Sequence, residues 1–200
     1  MIDTNGSNSP IDLDHSKIVT LIRHGATLWS KTGQHTGRTN LELSEEGVLE
    51  AKTLRKRLQD TEFDEVVASP LKRAVDTAGL AGLTHIRTDA NLEEWDYGEF
   101  EGLTTIDIRG KLPDWNLFID GVIGGESIAE VALRADLVLS SLSKTGNSCL
   151  VAHGHILRVL AARWLLLPPS FGMYLNLSPA SISELGFERE IPVIKLWNKT

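Results

Sequence analysis

The sequence predicts an α/β fold in which a mostly parallel central sheet lies between two layers of helices. Short apolar segments of strand length alternate along the chain with longer segments of helical periodicity, the pattern of strands joined by crossover helices. No internal repeat or low-complexity linker divides the 200 residues, and the apolar share of 42% is typical of a globular domain. We therefore expect one three-layer α/β/α domain over residues 17–200, after a polar, disordered tail over residues 1–16.

The first predicted strand, residues 17–22, leads without a break into the tripeptide RHG at residues 23–25. A polar loop follows. Ser44 then has the character of an N-cap, because acidic residues fill the next two positions, where the helix dipole favours anions. The helix that it begins keeps apolar residues at helical spacing, namely Val48, Ala51, Leu54 and Leu58.

The second strand, FDEVVAS, leads into a helix with Ser69 as its expected cap and Pro70 at its first position. The remaining predicted elements are, in chain order, a short strand near residues 84–88, an irregular segment over 91–125, a helix over 126–144, a strand over 148–152, a helix over 155–167 and two closing strands over 181–188 and 192–198.

Composition excludes several classes of function. The net charge of −7 and the pI near 5.4 disfavour binding to nucleic acid or to an anionic membrane. The single cysteine, Cys149, excludes a disulfide framework and is expected to be a buried structural thiol. The N-terminal residues lack the apolar core of a signal peptide, and no apolar run is long enough to span a bilayer, so we expect a cytoplasmic protein.

Three predicted strands end in residues suited to binding an anion. The first ends at RHG, the second leads into SPLKR and a later one ends at AHG. Ligands of parallel α/β sheets bind beyond the carboxyl ends of the strands, so Arg23, His24, Arg73 and His153 are expected to converge there. Guanidinium groups match phosphate oxygens, and a glycine such as Gly154 lets a backbone N–H approach the same anion. This local cationic pocket on an acidic protein predicts a phosphoryl group as its ligand.

Hydrolysis of a phosphate ester also requires a proton for the departing oxygen. The stretch NLEEWDYGEFEGL offers carboxylates beside aromatic side chains, whose desolvation favours the protonated acid. Composition alone leaves five candidates open: Glu93, Glu94, Asp96, Glu99 and Glu101.

The ordered motifs of this chain resemble those of the histidine phosphatase family, which includes cofactor-dependent phosphoglycerate mutases and many acid phosphatases. The resemblance rests on LIRHGATLWS, HTGRTNLELSEEG, SPLKRAVDTA, LEEWDYGEFEG, GGES and VAHGHILR. It is strongest to bacterial acid phosphatases and to sedoheptulose-1,7-bisphosphatases, and it implies a phosphoglycerate mutase-like fold.

The resemblance implies a role for each matching position. His24 matches the nucleophile that becomes a phosphohistidine, and Glu94 matches the proton donor. The rest of the expected phosphate pocket is Arg23, Arg73 and a protonated His153. The expected substrate contacts are Ser30, Thr36, Gly37, Tyr97 and the Gly154 N–H. Neither a metal nor a cofactor is expected. The expected partner is a small phosphomonoester, with homodimer formation through the C-terminal strand left open.

Two alternatives to a phosphatase remain at this stage. A phosphoglycerate mutase needs extra cations around the pocket, but Ser30 replaces an asparagine of the mutases, and Trp95 and Asp96 replace a basic pair. A phosphate-binding module with little turnover would not need the full catalytic set. Trp29, Trp95 and Trp115, with His35 and Arg38, could instead frame a sugar phosphate or simply be packing residues.

Overall fold

The computed structural model describes residues 13–200 and contains a single six-stranded sheet with the strand order β3-β2-β4-β1-β5-β6. Strands β1 to β4 run parallel to one another, whereas β5 pairs antiparallel with both β1 and β6. The prediction of a mostly parallel sheet is thereby confirmed. The strands are β1 Ile18–Arg23, β2 Glu65–Ala68, β3 Ile86–Thr88, β4 Asn147–Ala152, β5 Ile182–Glu188 and β6 Ile191–Lys199.

Helices cover both faces of the sheet. The α-helices are α1 Leu28–Thr32, α2 Glu45–Leu58, α3 Lys72–Leu80, α4 Thr105–Arg109, α5 Leu117–Asp120, α6 Ile128–Ser141 and α7 Gly154–Trp164. Buried residues of α2 and α3 form one apolar cluster, and those of α5, α6 and α7 form another. Neighbouring residues of β4 divide between the clusters, with Cys149 in the first and Leu150 in the second, because successive side chains of a strand point to opposite faces. These two clusters make the predicted three-layer arrangement.

Helix α3 begins later than its sequence suggests. Its first residue is Lys72 and its N-cap is Leu71, which makes no side-chain cap. The Ser69 hydroxyl, expected to cap this helix, instead lies 2.7 Å from Nε2 of His153 and accepts a hydrogen bond from the Leu71 N–H. The prediction of a Ser69 cap is therefore wrong, because the hydroxyl pairs with a residue distant in the chain.

Residues 1–12 of the predicted tail lie outside the described residues. The next residues of the tail, Leu13 and Asp14, pack on the domain. Leu13 lies against the larger apolar cluster, and the Asp14 N–H donates to the Lys144 carbonyl over 2.9 Å. Among residues 13–200, no helix is both long enough and apolar enough to cross a bilayer.

Candidate active site

The carboxyl ends of β1, β4 and β2 lie side by side and bring the RHG and AHG motifs together. The His24 N–H donates to the Ala152 carbonyl over 2.9 Å, and the Ser69 N–H donates to Val151 over the same distance. Because these bonds continue the ladder beyond the strands, the residues that follow are fixed in register. The rings of His24 and His153 consequently lie 5.0 Å apart between centroids, tilted by 60°.

His24 is held in the form that a nucleophile requires. Its side chain is buried, and Nδ1 lies 2.7 Å from the Gly25 carbonyl, to which it donates a proton. Burial, together with the charges of Arg73 and Arg23, lowers the pKa of His24 well below 6.5. The ring is therefore neutral near pH 7, with its remaining lone pair on Nε2.

The charge expected on His153 is absent. Burial lowers the pKa of His153 well below 6.5, and the charge of Arg73 lowers it further. Nδ1 of His153 accepts a hydrogen bond of 3.0 Å from Nε of Arg73. Nδ1 of His153 therefore carries no proton, and the single ring proton lies on Nε2, which faces Ser69. The prediction of a protonated His153 is wrong for this structure, because a fully buried ring already accepts from a cation.

Arg73 is buried behind the cavity and bonded to a loop. Its two terminal nitrogens donate to the carbonyls of Thr39 (2.8 Å), Thr36 (3.2 Å) and Gly37 (2.8 Å). With Nε bound to His153, four of its five N–H groups have partners among the described residues. Arg73 thus cannot offer an intact guanidinium fork to a phosphate, and one N–H of Nη1 remains.

Gly37 faces Arg73 and a carboxylate, not the cavity. Its N–H donates to both carboxylate oxygens of Glu101, over 3.0 and 2.9 Å. A Cβ at this position would lie 2.6 Å from the Trp95 carbonyl, so glycine is required for close packing. The predicted substrate contact of Gly37 is not what the structure shows, because both of its polar groups are already bonded.

Arg23 and Gly154 face each other across the innermost part of the cavity. Arg23 donates from Nη1 to the Leu177 carbonyl, while its Nε is buried without a partner among the described residues. A Cβ built on Gly154 would lie 3.5 Å from Nε of Arg23 and 3.6 Å from Oε2 of Glu94. The first residue of α7 thus leaves a small space between a guanidinium and a carboxyl group.

Glu94 is bound to the N-terminus of α7. Its Oε1 accepts from the N–H groups of Trp95 and Ile156, and its Oε2 accepts from that of His155, each over 2.9 Å. An oxygen of a carboxylate has two lone pairs, so Oε2 keeps one that no backbone N–H occupies. That position is where Glu94 could carry a transferable proton.

The cavity above these residues has a volume of about 250 Å³. Its lining includes seven predicted site residues: Arg23, His24, Glu94, Thr36, Ser30, Tyr97 and Gly154. The Ser30 hydroxyl is already engaged in capping α1, since it accepts from the Thr27 N–H and donates to the Thr27 carbonyl. Ser30 therefore contributes to the shape of the cavity and to the position of α1.

Sequence reasoning missed two polar residues of α7 that line the cavity, His155 and Arg158. Their three-residue spacing directly after the AHG motif places both on the first turns of one helix, a signal that was available. Arg158 donates to the Gly172 carbonyl over 2.9 Å and lies 4.7 Å above the Phe118 ring. His35, named above only as a possible frame residue, also lines the cavity.

The proposed tryptophan frame is not present around the cavity. Trp95 and Trp115 are buried in the core, and each donates its indole N–H to a backbone carbonyl, of Glu126 and Gly121. Arg38 pairs at the surface with Asp96 over 3.2 Å. Within residues 13–200, no three His, Cys, Asp or Glu side chains group so as to hold a metal ion.

Comparisons with known proteins agree with this arrangement. The family model of the histidine phosphatase superfamily (branch 1) matches residues 19–200. An acid phosphatase of Mycobacterium tuberculosis is 42% identical over 88% of this chain and 91% of its own length. Sedoheptulose 1,7-bisphosphatase of Saccharomyces cerevisiae is 31% identical over 72% of this chain and 66% of its own length. A solved M. tuberculosis structure superposes with a TM-score of 0.87 at 40% identity, covering 92% of this chain and 98% of that one, which confirms the predicted phosphoglycerate mutase-like fold. The chain belongs to branch 1 of the histidine phosphatase superfamily.

Proposed function

We propose that this chain is a phosphatase that hydrolyses a small phosphate monoester through a phosphohistidine on His24. One observation carries the proposal. A neutral, buried histidine with a free Nε2 lone pair stands in one cavity with an unpartnered Arg23 Nε and with Glu94. Membership of this family supports phosphatase activity, and the two relatives described above are named as phosphatases.

In the first step, Nε2 of His24 attacks the phosphorus atom. The P–N bond forms as the P–O bond to the alcohol breaks, and protonated Glu94 gives its Oε2 proton to the departing oxygen. Arg23 and the Gly154 N–H bind the equatorial oxygens, whose negative charge they stabilise in the transition state. Uncatalysed hydrolysis of these esters is so slow that roughly 20 kcal/mol of barrier lowering must be shared among the groups.

In the second step, the Glu94 carboxylate takes a proton from a water molecule that attacks the phosphohistidine. The P–N bond breaks, phosphate leaves and His24 returns to its neutral form. His153 keeps Arg73 in place because Nε of Arg73 donates a hydrogen bond to Nδ1 of His153. No metal ion takes part in these steps, so EDTA should leave the rate unchanged.

The lining of the cavity suits a hydroxylated leaving group such as a sugar. Beyond the inner cations, the wall carries the neutral polar side chains of His35, His155 and Gln34. The further cation of the lining, Arg158, already donates to the carbonyls of Gly172 and Met173. Such groups hydrogen bond to hydroxyls without requiring a second negative charge. This is the reason we favour a sugar phosphate over a bisphosphorylated carboxylic acid, the intermediate that a mutase must retain.

The proposal is tested first with Glu94→Gln. An aryl phosphate such as p-nitrophenyl phosphate has a good leaving group and needs little acid assistance, whereas an alkyl or sugar phosphate needs a proton. We expect a loss of at least about 100-fold in kcat on a sugar phosphate, and a smaller loss on p-nitrophenyl phosphate. Glu93→Gln, at the neighbouring carboxylate outside the cavity, is the matched control. Equal losses on both substrates would contradict the acid role.

His24→Ala distinguishes the three functions considered. A phosphatase releases phosphate and loses this activity with His24, a mutase yields an isomeric ester with little free phosphate, and a binding module does neither at an appreciable rate. In the phosphatase, an intermediate trapped during turnover should survive alkali and be lost in acid, as phosphohistidine does. Wild-type turnover no faster than that of His24→Ala would overturn the proposal.

A further inference from the structure

Tyr97 is buried beside the cavity and its hydroxyl faces a histidine. The side chain is 2% exposed, and Oη lies 2.6 Å from Nδ1 of His155. Burial raises the pKa of Tyr97 well above 10, so the phenol keeps its proton. Oη has no other hydrogen-bond partner among residues 13–200. Among these residues only the His155 ring can accept the phenol proton, and in that pairing Tyr97 is the donor and Nδ1 the acceptor.

This bond determines which nitrogen of His155 carries the proton. Burial lowers the pKa of His155 well below 6.5, so the ring is neutral and holds one proton. Because Nδ1 accepts from Tyr97, that proton lies on Nε2. His155 is thus held in a single tautomer by a tyrosine that also lines the cavity.

The same nitrogen lies near the proposed acid. Nδ1 of His155 is 3.8 Å from Oε2 of Glu94, and this is the oxygen with an unoccupied lone pair. A proton on Nδ1 would place an N–H dipole, instead of a lone pair, 3.8 Å from Oε2. Such a dipole near a carboxylate favours its ionised form and so opposes the transferable proton on Oε2.

We propose that Tyr97 is a positioning residue that keeps Nδ1 of His155 unprotonated and so leaves Oε2 of Glu94 free to hold and deliver its proton. The role of Glu94 in this inference rests on the function proposed above, whereas the tautomer of His155 does not. Tyr97 consequently acts on the leaving-group side of the reaction through His155.

Burial and nearby positive charge favour the neutral ring of His155. Arg158 approaches from the same helix, and positive charge there opposes a proton on the ring. The Phe118 ring lies beside the imidazole, 5.6 Å away between centroids and tilted by 55°. The titratable and charged groups that face His155 from other elements are Glu94, Tyr97, His35 and Arg23.

Tyr97→Phe removes only the hydroxyl and is the primary test. We expect the ring proton of His155 to move to Nδ1, the nitrogen beside Oε2 of Glu94, so the alkaline limb of the kcat profile on a sugar phosphate should move to lower pH by about one unit. Above that limb kcat should fall about tenfold, with little change in KM. Tyr174→Phe, at the other tyrosine, makes the same chemical change at an exposed position away from His155 and should leave the limb in place.

His155→Ala shows whether the effect passes through the imidazole. The backbone N–H that Glu94 accepts is retained in this variant. Adding Tyr97→Phe to His155→Ala should therefore produce no further shift of the alkaline limb. An equal shift with and without the imidazole would overturn the proposal, because Tyr97 would then act on Glu94 by another route.

Nitrogen NMR of the imidazoles provides a readout that needs no turnover. With ¹⁵N-labelled histidine, the His155 signals, assigned by their loss in His155→Ala, should show an unprotonated Nδ1 and a protonated Nε2 in the wild type. In Tyr97→Phe the two should exchange roles. A protonated Nδ1 in the wild type would overturn the inference even in an active enzyme. Inactive protein with the expected tautomer would contradict only the proposed function.

Discussion

A carboxylate outside the cavity lining, that of Glu101, determines where Arg73 lies. It accepts from the N–H groups of Gly37 and Thr39, whose carbonyls in turn accept from Arg73. Glu101→Gln replaces one acceptor oxygen with a donor, so we expect a loss of about 1–3 kcal/mol in the free energy of unfolding and a lower kcat/KM. Thermal denaturation and phosphate release measure the two effects. Glu99→Gln, at an exposed carboxylate nearby, is the control, and equal behaviour of both variants would contradict this role.

The space beside Gly154 is the second residue-scale feature open to test. An alanine methyl there would make ordinary contacts of 3.5 Å with Arg23 and 3.6 Å with Glu94, so the fold should tolerate it. The methyl would nevertheless occupy the gap proposed for the phosphate. We expect Gly154→Ala to keep the wild-type Tm and to raise the inhibition constant for phosphate at least about tenfold. Gly79→Ala, whose new methyl meets nothing within 4 Å, is the control.

Whether the sequence predicts the position of a site residue depends on where in the chain the partner of its side chain lies. His24 and His153 follow strand ends, and the strand order alone brings them together. The bond of Arg73 to Thr39 spans 34 residues and ends in a loop, and the bond of Tyr97 to His155 spans 58 residues and ends on α7. Local sequence pattern specifies neither pairing. The neutral state of His153 likewise follows from complete burial, which one sequence cannot show.

At the scale of elements, length decided which predictions succeeded. The helices α2, α6 and α7 are 11 to 14 residues long and repeat their apolar spacing often enough to be recognised. Helices α1, α4 and α5 have only four or five residues, and they lie in segments that were predicted as a loop or as irregular. Two of them, α1 and α4, begin with capping boxes, which were the available signal.

The junction between β1 and α2 depends on close contact of two backbone segments. A Cβ built on Gly47 in the first turn of α2 would lie 2.0 Å from the Ala26 carbonyl oxygen, and backbone on both sides limits relief. We therefore expect Gly47→Ala to lower the free energy of unfolding by about 1–3 kcal/mol or more and to displace the RHG loop. Urea denaturation measures the effect. Stability equal to that of Gly79→Ala would show that the segments can separate without cost.

At the scale of the whole molecule, buried neutral histidines should make stability depend on pH. Burial lowers the pKa of His35 to about 4, and it lowers those of His24, His153 and His155 well below 6.5. Between the folded and unfolded pKa values the unfolded chain binds more protons, so acidification favours unfolding. For His35 alone this loss reaches about 3 kcal/mol as pH falls from 6.5 to about 4.

We therefore expect Tm to fall when the pH is lowered from about 7.5 to about 5.5, with a slope of the unfolding free energy of several times 1.4 kcal/mol per pH unit. His35→Gln removes one titrating group and should reduce this slope by up to about 1.4 kcal/mol per unit, while His85→Gln, at an exposed histidine, is the matched control. Carboxylates whose pKa is lowered in the fold, such as Glu65, lose their stabilising effect only as pH falls below about 4.5, so they do not obscure the effect. A Tm that stays constant or rises on acidification would mean that these rings take up protons in the folded state, and a neutral His24 nucleophile would then be excluded over that range of pH.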